Sequence, residues 1–166
     1  MKFKKSLHTL LSFLLLIAMS VSLLTGCTQE DLDLATDVLT AVLETESFSD
    51  IEEDGIYTSK EDVSAYLILY EHLPSNYITK KEAKALGWVS SEGNLSEVAP
   101  GMSIGGDYFG NYEGLLPEAD GRDYYECDID FDGTYRGAKR IVFSNDGLIY
   151  YTEDHYESFE LLYGEE

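Results

Sequence analysis

The chain has 166 residues, 11 of them Lys or Arg and 32 Asp or Glu, for a net charge of −21. A hydrophobic content of 44% with 13% aromatics excludes a disordered chain; two cysteines exclude a disulfide scaffold. So acidic a surface is expected to repel bare phosphate backbones, so composition alone argues against a nucleic-acid partner. With about 150 residues per domain as the usual size, one domain plus appendages is expected.

The first 26 residues read as a leader. Lys2, Lys4 and Lys5 precede the apolar run LLSFLLLIAMSVSLL, and no acidic residue appears before Glu30. This is the pattern of a secretory signal peptide. A retained transmembrane anchor is the alternative, but the run is short of the roughly 20 residues a spanning helix needs. Leu24-Thr25-Gly26-Cys27 resembles a bacterial lipobox, which implies cleavage before Cys27 and lipidation of its thiol. The protein would then be anchored to the outer face of a membrane without spanning it. Ordinary secretion with a free Cys27 is the other reading. Cleavage would remove three lysines and no acid, moving the net charge from −21 to −24.

Residues 28–55 contain no Lys or Arg. Leu32, Ala35, Leu39 and Val42 fall at helical spacing, so Asp31–Glu44 forms either an amphipathic helix or part of an acidic spacer. From Ile56 the texture changes. Val63, Tyr66, Leu67 and Tyr70 define a helical face over Glu61–Leu73, with Pro74 as its stop. Thr79 and Glu82 make a capping box for a second helix from Lys80 to about Leu86, ending at Gly87. His72 reads as a structural residue at the negative end of the first helix. Period-two patterning then predicts strands at Tyr124–Phe131, Lys139–Ser144 and Leu148–Thr152, with Asn145-Asp146-Gly147 as a hairpin turn. Helices followed by strands imply an α+β fold with an antiparallel sheet. The expected organisation is a leader over 1–26, a lipid-anchor cysteine with acidic spacer over 27–55, and a globular domain over 56–166.

Three local signals carry no chemistry. Asp128, Asp130 and Asp132 with Gly133 open like a calcium loop, but Lys139 stands where a bidentate Glu is required. The glycines of 101–106 lack both a dinucleotide fingerprint and a P-loop lysine, so they read as turns or bulges. Cys127 alternates with Glu126 and should face the core.

The stretch LPSNYITKKEAKALGWVSSEGNLSEVAPGMSIGGDYFGNYEGLLPE, followed by GRDYYECDID and YRGAKRIVFSNDGLIYYTEDHYESF, closely resembles the barnase family of secreted bacterial ribonucleases. The similarity runs from about Tyr57 to Leu162. It implies N-terminal helices packed on a five-stranded antiparallel sheet, and a monomer. It also implies cleavage of single-stranded RNA after guanosine without metal or cofactor, through a 2′,3′-cyclic phosphate. By the same resemblance Glu126 is the general base, His155 the general acid, and Lys80, Arg136 and Arg140 the phosphate contacts. Gly110, Asn111, Tyr112 and Glu113 occupy the base-binding loop, and Tyr156 is a stacking candidate. Tyr112 departs from the family, which carries an arginine there; that loss weakens a docking point for a proteinaceous inhibitor of the barstar type.

Taken singly, each of these residues has a plain reading as surface charge, loop histidine or packed tyrosine. Their joint retention favours the enzyme. Three of the eight basic residues left after leader removal are the phosphate contacts, so a positive cleft inside a negative envelope is expected. The same negative field is expected to favour protonated His155 and to raise the pKa of Glu126. The competing reading is a catalytically weak or inactive ribonuclease fold that binds another protein at the cell surface.

Overall fold

A computed structural model of the protein describes residues 50–165; the leader, Cys27 and the proposed Asp31–Glu44 helix lie outside the described residues. Helix α1 (Lys60–Tyr70) starts where Ser59 caps it, its hydroxyl accepting the Asp62 amide at 3.1 Å, with Glu61 and Asp62 favourably placed in the positive first turn. It ends three residues short of the expected Leu73. Glu71 turns into the left-handed region (φ 59°) and its N–H closes on the Leu67 carbonyl at 3.0 Å. The helix therefore stops at a left-handed cap, before Pro74 can act. Val63 and Leu67 are buried on the sheet, each worth about 1.5–3 kcal/mol.

Helix α2 (Lys80–Ala85) begins with the expected capping box: Thr79 Oγ1 accepts the Glu82 amide at 3.2 Å, and Glu82 Oε2 accepts the Thr79 amide at 2.8 Å. A 3₁₀ turn (Ser90–Glu92) and the short helix α3 (Leu95–Val98) follow. Ala83, Trp88, Leu95, Ala99 and Ile104 close into a core beside this helical segment, and so help fix the start of α2 against the sheet.

Six strands, β1 (Tyr77–Ile78), β2 (Ser103–Phe109), β3 (Tyr124–Asp128), β4 (Arg140–Ser144), β5 (Ile149–Thr152) and β6 (Glu160–Tyr163), lie side by side in chain order. Strands β2–β6 form an antiparallel meander of five. The sixth, two-residue β1, runs parallel to β2 at the edge, brought there as Ser103 N–H donates to the Asn76 carbonyl at 2.8 Å. Strand β3 stops at Asp128 rather than Phe131, because the chain turns left-handed at Asp130 (φ 54°). Strands β4 and β5 each begin one residue later than expected.

Side-chain alternation sorts the sheet into two faces. Cys127, Ile141 and Ile149 face α1, so Cys127 lies in the core as the alternation required. Tyr124, Glu126, Asp128, Arg140 and Val142 face the other way, as the pairs Glu126↔Val142 and Asp128↔Arg140 show. Strand β2 reaches that register through a bulge at Gly105–Asp107, with Gly106 at φ 88°. A Cβ on Gly105 would sit 2.6 Å from that of Cys127, so glycine is required for β2 to close on β3.

Candidate active site

Glu126, at the middle of β3, is only 5% exposed. A buried carboxylate needs partners, and three elements supply them. Lys80, the first residue of α2, donates to Oε1; the Tyr156 hydroxyl, from the loop after β5, donates to Oε2. Arg136 Nη2 stands 3.9 Å from Oε1. Burial pushes the Glu126 pKa up, but the bonds from Lys80 and Tyr156 and the charges of Lys80 and Arg136 outweigh it and hold the carboxyl below its ordinary 4.5. The expected rise is thus reversed: the long-range field of the acid excess is overruled by cations in contact.

Beneath this pair lies a second buried carboxylate. Asp128, on the same face two residues along, takes Arg136 in a bidentate grip (Nε–Oδ2 2.7 Å, Nη2–Oδ1 2.6 Å). Arg140, its cross-strand partner, is 2% exposed; its Nη1 donates to the carbonyls of Gly137 and Lys139 at 2.8 and 2.7 Å. Its Nε lies 2.9 Å from Asp128 Oδ1, yet the N–H finds no acceptor in line, so this is a charge contact and not a hydrogen bond. Asp107 adds a third acid by accepting the Lys80 amide at 2.8 Å. Three cations thus meet three carboxylates. The cluster is balanced rather than positive, so the positive cleft expected from the sequence is cancelled by buried acids.

His155 is exposed, with its ring 4.7 Å from that of Tyr156. Both residues adopt positive φ (59° and 75°), an arrangement that must be held by the surroundings. Asp154 does the holding. Its carboxylate accepts the Ser158 hydroxyl at 2.5 Å, the Ser158 amide at 3.0 Å and the Thr152 hydroxyl at 2.8 Å, and these bonds bring its pKa down to about 2. Thr152 Oγ1 in turn accepts the Tyr156 amide at 3.0 Å. Tyr156 therefore touches both Glu126 and His155.

The loop Gly110-Asn111-Tyr112-Glu113 follows β2 directly. Asn111 is buried at positive φ (43°), and its amide clasps Leu116 both ways, donating to the carbonyl at 2.9 Å and accepting the N–H at 3.0 Å. Leu116 is anchored among Tyr124, Val142, Leu148 and Tyr150. Tyr112 is 91% exposed with its ring over Gly110, where a Cβ would come within 2.4 Å of it. Glu113 is exposed. Phe109 links this loop to the charged cluster, its ring 5.2 Å from that of Tyr156.

The structure thus gathers Lys80, Glu126, Arg136, Arg140 and Tyr156 around one point, with His155 joined through Tyr156 and the loop joined through Phe109. Asp107, Phe109, Asp128 and Asp154 are parts of the site that sequence reasoning passed over. Asp128 carried a usable signal, since strand alternation places it on the face of Glu126. Asp130 and Asp132, the rest of the calcium-like motif, are engaged elsewhere: Asp130 pairs with Lys139 at 2.6 Å and Asp132 accepts from Thr134 at 2.7 Å. Chemically, an ionised carboxylate and an exposed imidazole flank guanidinium and ammonium donors, which is the equipment for proton transfer around an anionic centre.

Residues 60–163 match the sequence model of a family described as ribonuclease. A ribonuclease of Bacillus intermedius is 54% identical over 111 residues, covering 67% of this chain and 68% of its own length. A ribonuclease of Heyndrickxia coagulans is 59% identical over 105 residues, 63% of this chain and 96% of its own. A guanyl-specific ribonuclease St of Saccharopolyspora erythraea is 46% identical over 57 residues, 34% of this chain and 56% of its own.

Proposed function

This chain belongs to the barnase family of bacterial ribonucleases and is an endoribonuclease, and from that premise we propose that it cleaves single-stranded RNA after guanosine by acid–base transphosphorylation. Glu126 takes the proton of the ribose 2′-hydroxyl as that oxygen attacks phosphorus. Protonated His155 gives its proton to the departing 5′-oxygen, and a 2′,3′-cyclic phosphate forms. In the second step the roles invert: His155 accepts a proton from water, the hydroxide oxygen adds to phosphorus, and Glu126 returns its proton to the 2′-oxygen. Lys80, Arg136 and Arg140 stabilise the charge that builds on the equatorial phosphoryl oxygens. Their pairing with Asp128 locks the two guanidinium groups in position before substrate arrives.

The observation that carries the proposal is Glu126 itself. A carboxylate 5% exposed and held ionised by Lys80, Tyr156 and Arg136 is a proton acceptor at every pH above its depressed pKa. Each carboxylate oxygen accepts more than one hydrogen bond, so the 2′-hydroxyl can bind without displacing either donor.

Guanine recognition falls to the backbone amides of Gly110–Glu113 and to the Glu113 carboxylate, on a loop whose shape Asn111 fixes. The likeness to a protein named for guanyl specificity supports this. The exposed Tyr112 ring replaces the family arginine with a stacking surface, worth about 1–3 kcal/mol per base where it engages, and weakens docking of a barstar-type inhibitor. The leader and Cys27 make the enzyme an exported lipoprotein; labelling with a radioactive fatty acid, lost in Cys27→Ser, tests that.

The deciding experiment is cleavage of a guanosine-containing dinucleotide by the purified protein in the presence of chelator. A cyclic-phosphate product, lost in Glu126→Ala and in His155→Ala, is expected. Turnover that survives both substitutions, or a folded protein with none at any pH, would overturn the mechanism.

A further inference from the structure

We propose that the trough on the opposite face of the sheet, at the C-terminal end of α1, is a docking site for a basic peptide segment of another protein, with an arginine or lysine side chain as its anchor. Two open cavities of about 450 and 440 Å³ meet there and share Glu71, Tyr125 and Phe143. Alternation along β3 and β4 places this floor on the side away from Glu126, so the trough is separate from the cleavage site. Tyr125 and Phe143 are register partners with ring centroids 5.8 Å apart, and the exposed Tyr108 meets Tyr125 edge-on at 6.4 Å.

Negative charge gathers at the helix end of the trough. Its floor lies beside the negative end of an eleven-residue helix whose last turn holds no basic residue. Glu71 adds a carboxylate at that same end and carries no ion pair among the described residues. Glu82 lies on one rim, where its carboxylate also accepts the Thr79 amide, and Asp146 lies on the other with its charge taken by Arg122 at 2.8 Å, so Glu71 is the carboxylate left open to a ligand. No Lys or Arg lines either cavity; His72, its Nδ1 2.9 Å from the Leu73 carbonyl, is the one lining group able to carry positive charge.

Aromatic faces beside a carboxylate and a helix C-terminus recognise an organic cation on an apolar stem: the stem lies on the rings and the charged head reaches Glu71 and the terminal carbonyls. The alternatives fail on charge. A second copy of a chain at −21 brings like charge to the rim, and so do residues 28–55, which contain no Lys or Arg. RNA is repelled for the same reason.

Titration of ¹⁵N-labelled protein with acetyl-Arg-Leu-Arg-amide tests the site. Saturable shifts confined to Glu71, His72, Tyr125, Phe143 and Gly147 are expected, with none from acetyl-Gln-Leu-Gln-amide. Glu71→Lys should weaken binding at least tenfold, whereas the charge-matched Glu92→Lys on the exposed 3₁₀ turn should change it less than twofold. Both should leave dinucleotide cleavage unchanged. Shifts spread over the acidic surface without saturation, or centred on His155, would overturn the proposal, as would undiminished binding by Glu71→Lys. Equal affinity for spermidine at the same residues would overturn the peptide assignment. The mapping on unsubstituted protein stands even if Glu71→Lys fails to fold.

Discussion

Replacing Lys80 with methionine isolates the force that keeps Glu126 ionised. Methionine keeps most of the side-chain volume and removes the donor that binds Oε1. An opposite charge within 4–6 Å lowers a carboxyl pKa by about 1–3 units. The Lys80 side chain is 35% exposed, so solvent screening places its share in the lower part of that range, about 1–2 units. Arg136 remains 3.9 Å from Glu126, but its guanidinium is committed to Asp128 and offsets little of the loss. Burial then acts with less opposition, and the pKa rises. The readout is the acidic limb of kcat/KM against pH for dinucleotide cleavage, which reports the free enzyme. That limb should move up by about 1–2 pH units. Loss of a phosphate contact lowers the plateau as well, but a lower plateau does not shift a limb. Stability moves with it. A folded pKa below the unfolded one stabilises the protein above the unfolded value, and that contribution is lost as pH falls through the folded pKa. Lys80→Met should therefore cost about 1.4–2.7 kcal/mol at pH 7, with the difference from the parent shrinking under acid conditions. An unmoved limb, or one displaced downward, would refute this account of Glu126.

Tyr156→Phe keeps the ring packing on Phe109 and removes the donor to Oε2, so the same limb should rise by up to about one unit and stability at pH 7 should fall by up to about 1.4 kcal/mol, checked by pH–rate profile and urea unfolding. Asp128→Ala leaves Arg136 and Arg140 partly or fully buried without their counter-ion, and should destabilise the fold by about 3–5 kcal/mol in urea denaturation. Asn111→Ala strips partners from the buried N–H and carbonyl of Leu116; about 1–3 kcal/mol should be lost, and discrimination of guanosine over adenosine dinucleotides should fall more than the maximal rate.

Local rules made part of this molecule legible in the sequence. Thr79 and Glu82 mark the start of α2 because both halves of a capping box lie within four residues. Asn145-Asp146-Gly147 marks the β4–β5 hairpin because Gly147 supplies the positive φ the turn demands (101°). Glu126 and Cys127 could be assigned to opposite faces from alternation alone. Strand β2 was not legible, since Gly105 and Gly106 erase its alternation and their purpose, close approach to Cys127 and a bulge, is a property of the neighbouring strand. The end of α1 was misplaced because a left-handed glutamate looks like any other glutamate. The site splits the same way. Resemblance named Lys80, Glu126, Arg136, Arg140 and His155, but the grip of Asp128 on two arginines follows from cross-strand register, and the hold of Asp154 on the His155 loop follows from a turn that neither composition nor periodicity reports.

The acid excess argued against a nucleic-acid partner, and the site shows why that argument fails for this chain. Net charge acts over the whole surface and is screened beyond about 8 Å at physiological ionic strength. Lys80, Arg136 and Arg140 act on a bound phosphate at contact, where screening is weak. Asp107, Glu126 and Asp128 consume part of that positive charge, yet they also fix where the donors stand, so the remaining N–H groups present a formed receptor and not three mobile side chains. Composition therefore bears on how fast RNA approaches, while the cross-strand pairing of β3 with β4 determines what happens once it has arrived. A chain can be strongly acidic and still cut RNA provided its few cations are held in register by buried acids, and three of the eight Lys and Arg beyond residue 26 are held in that way.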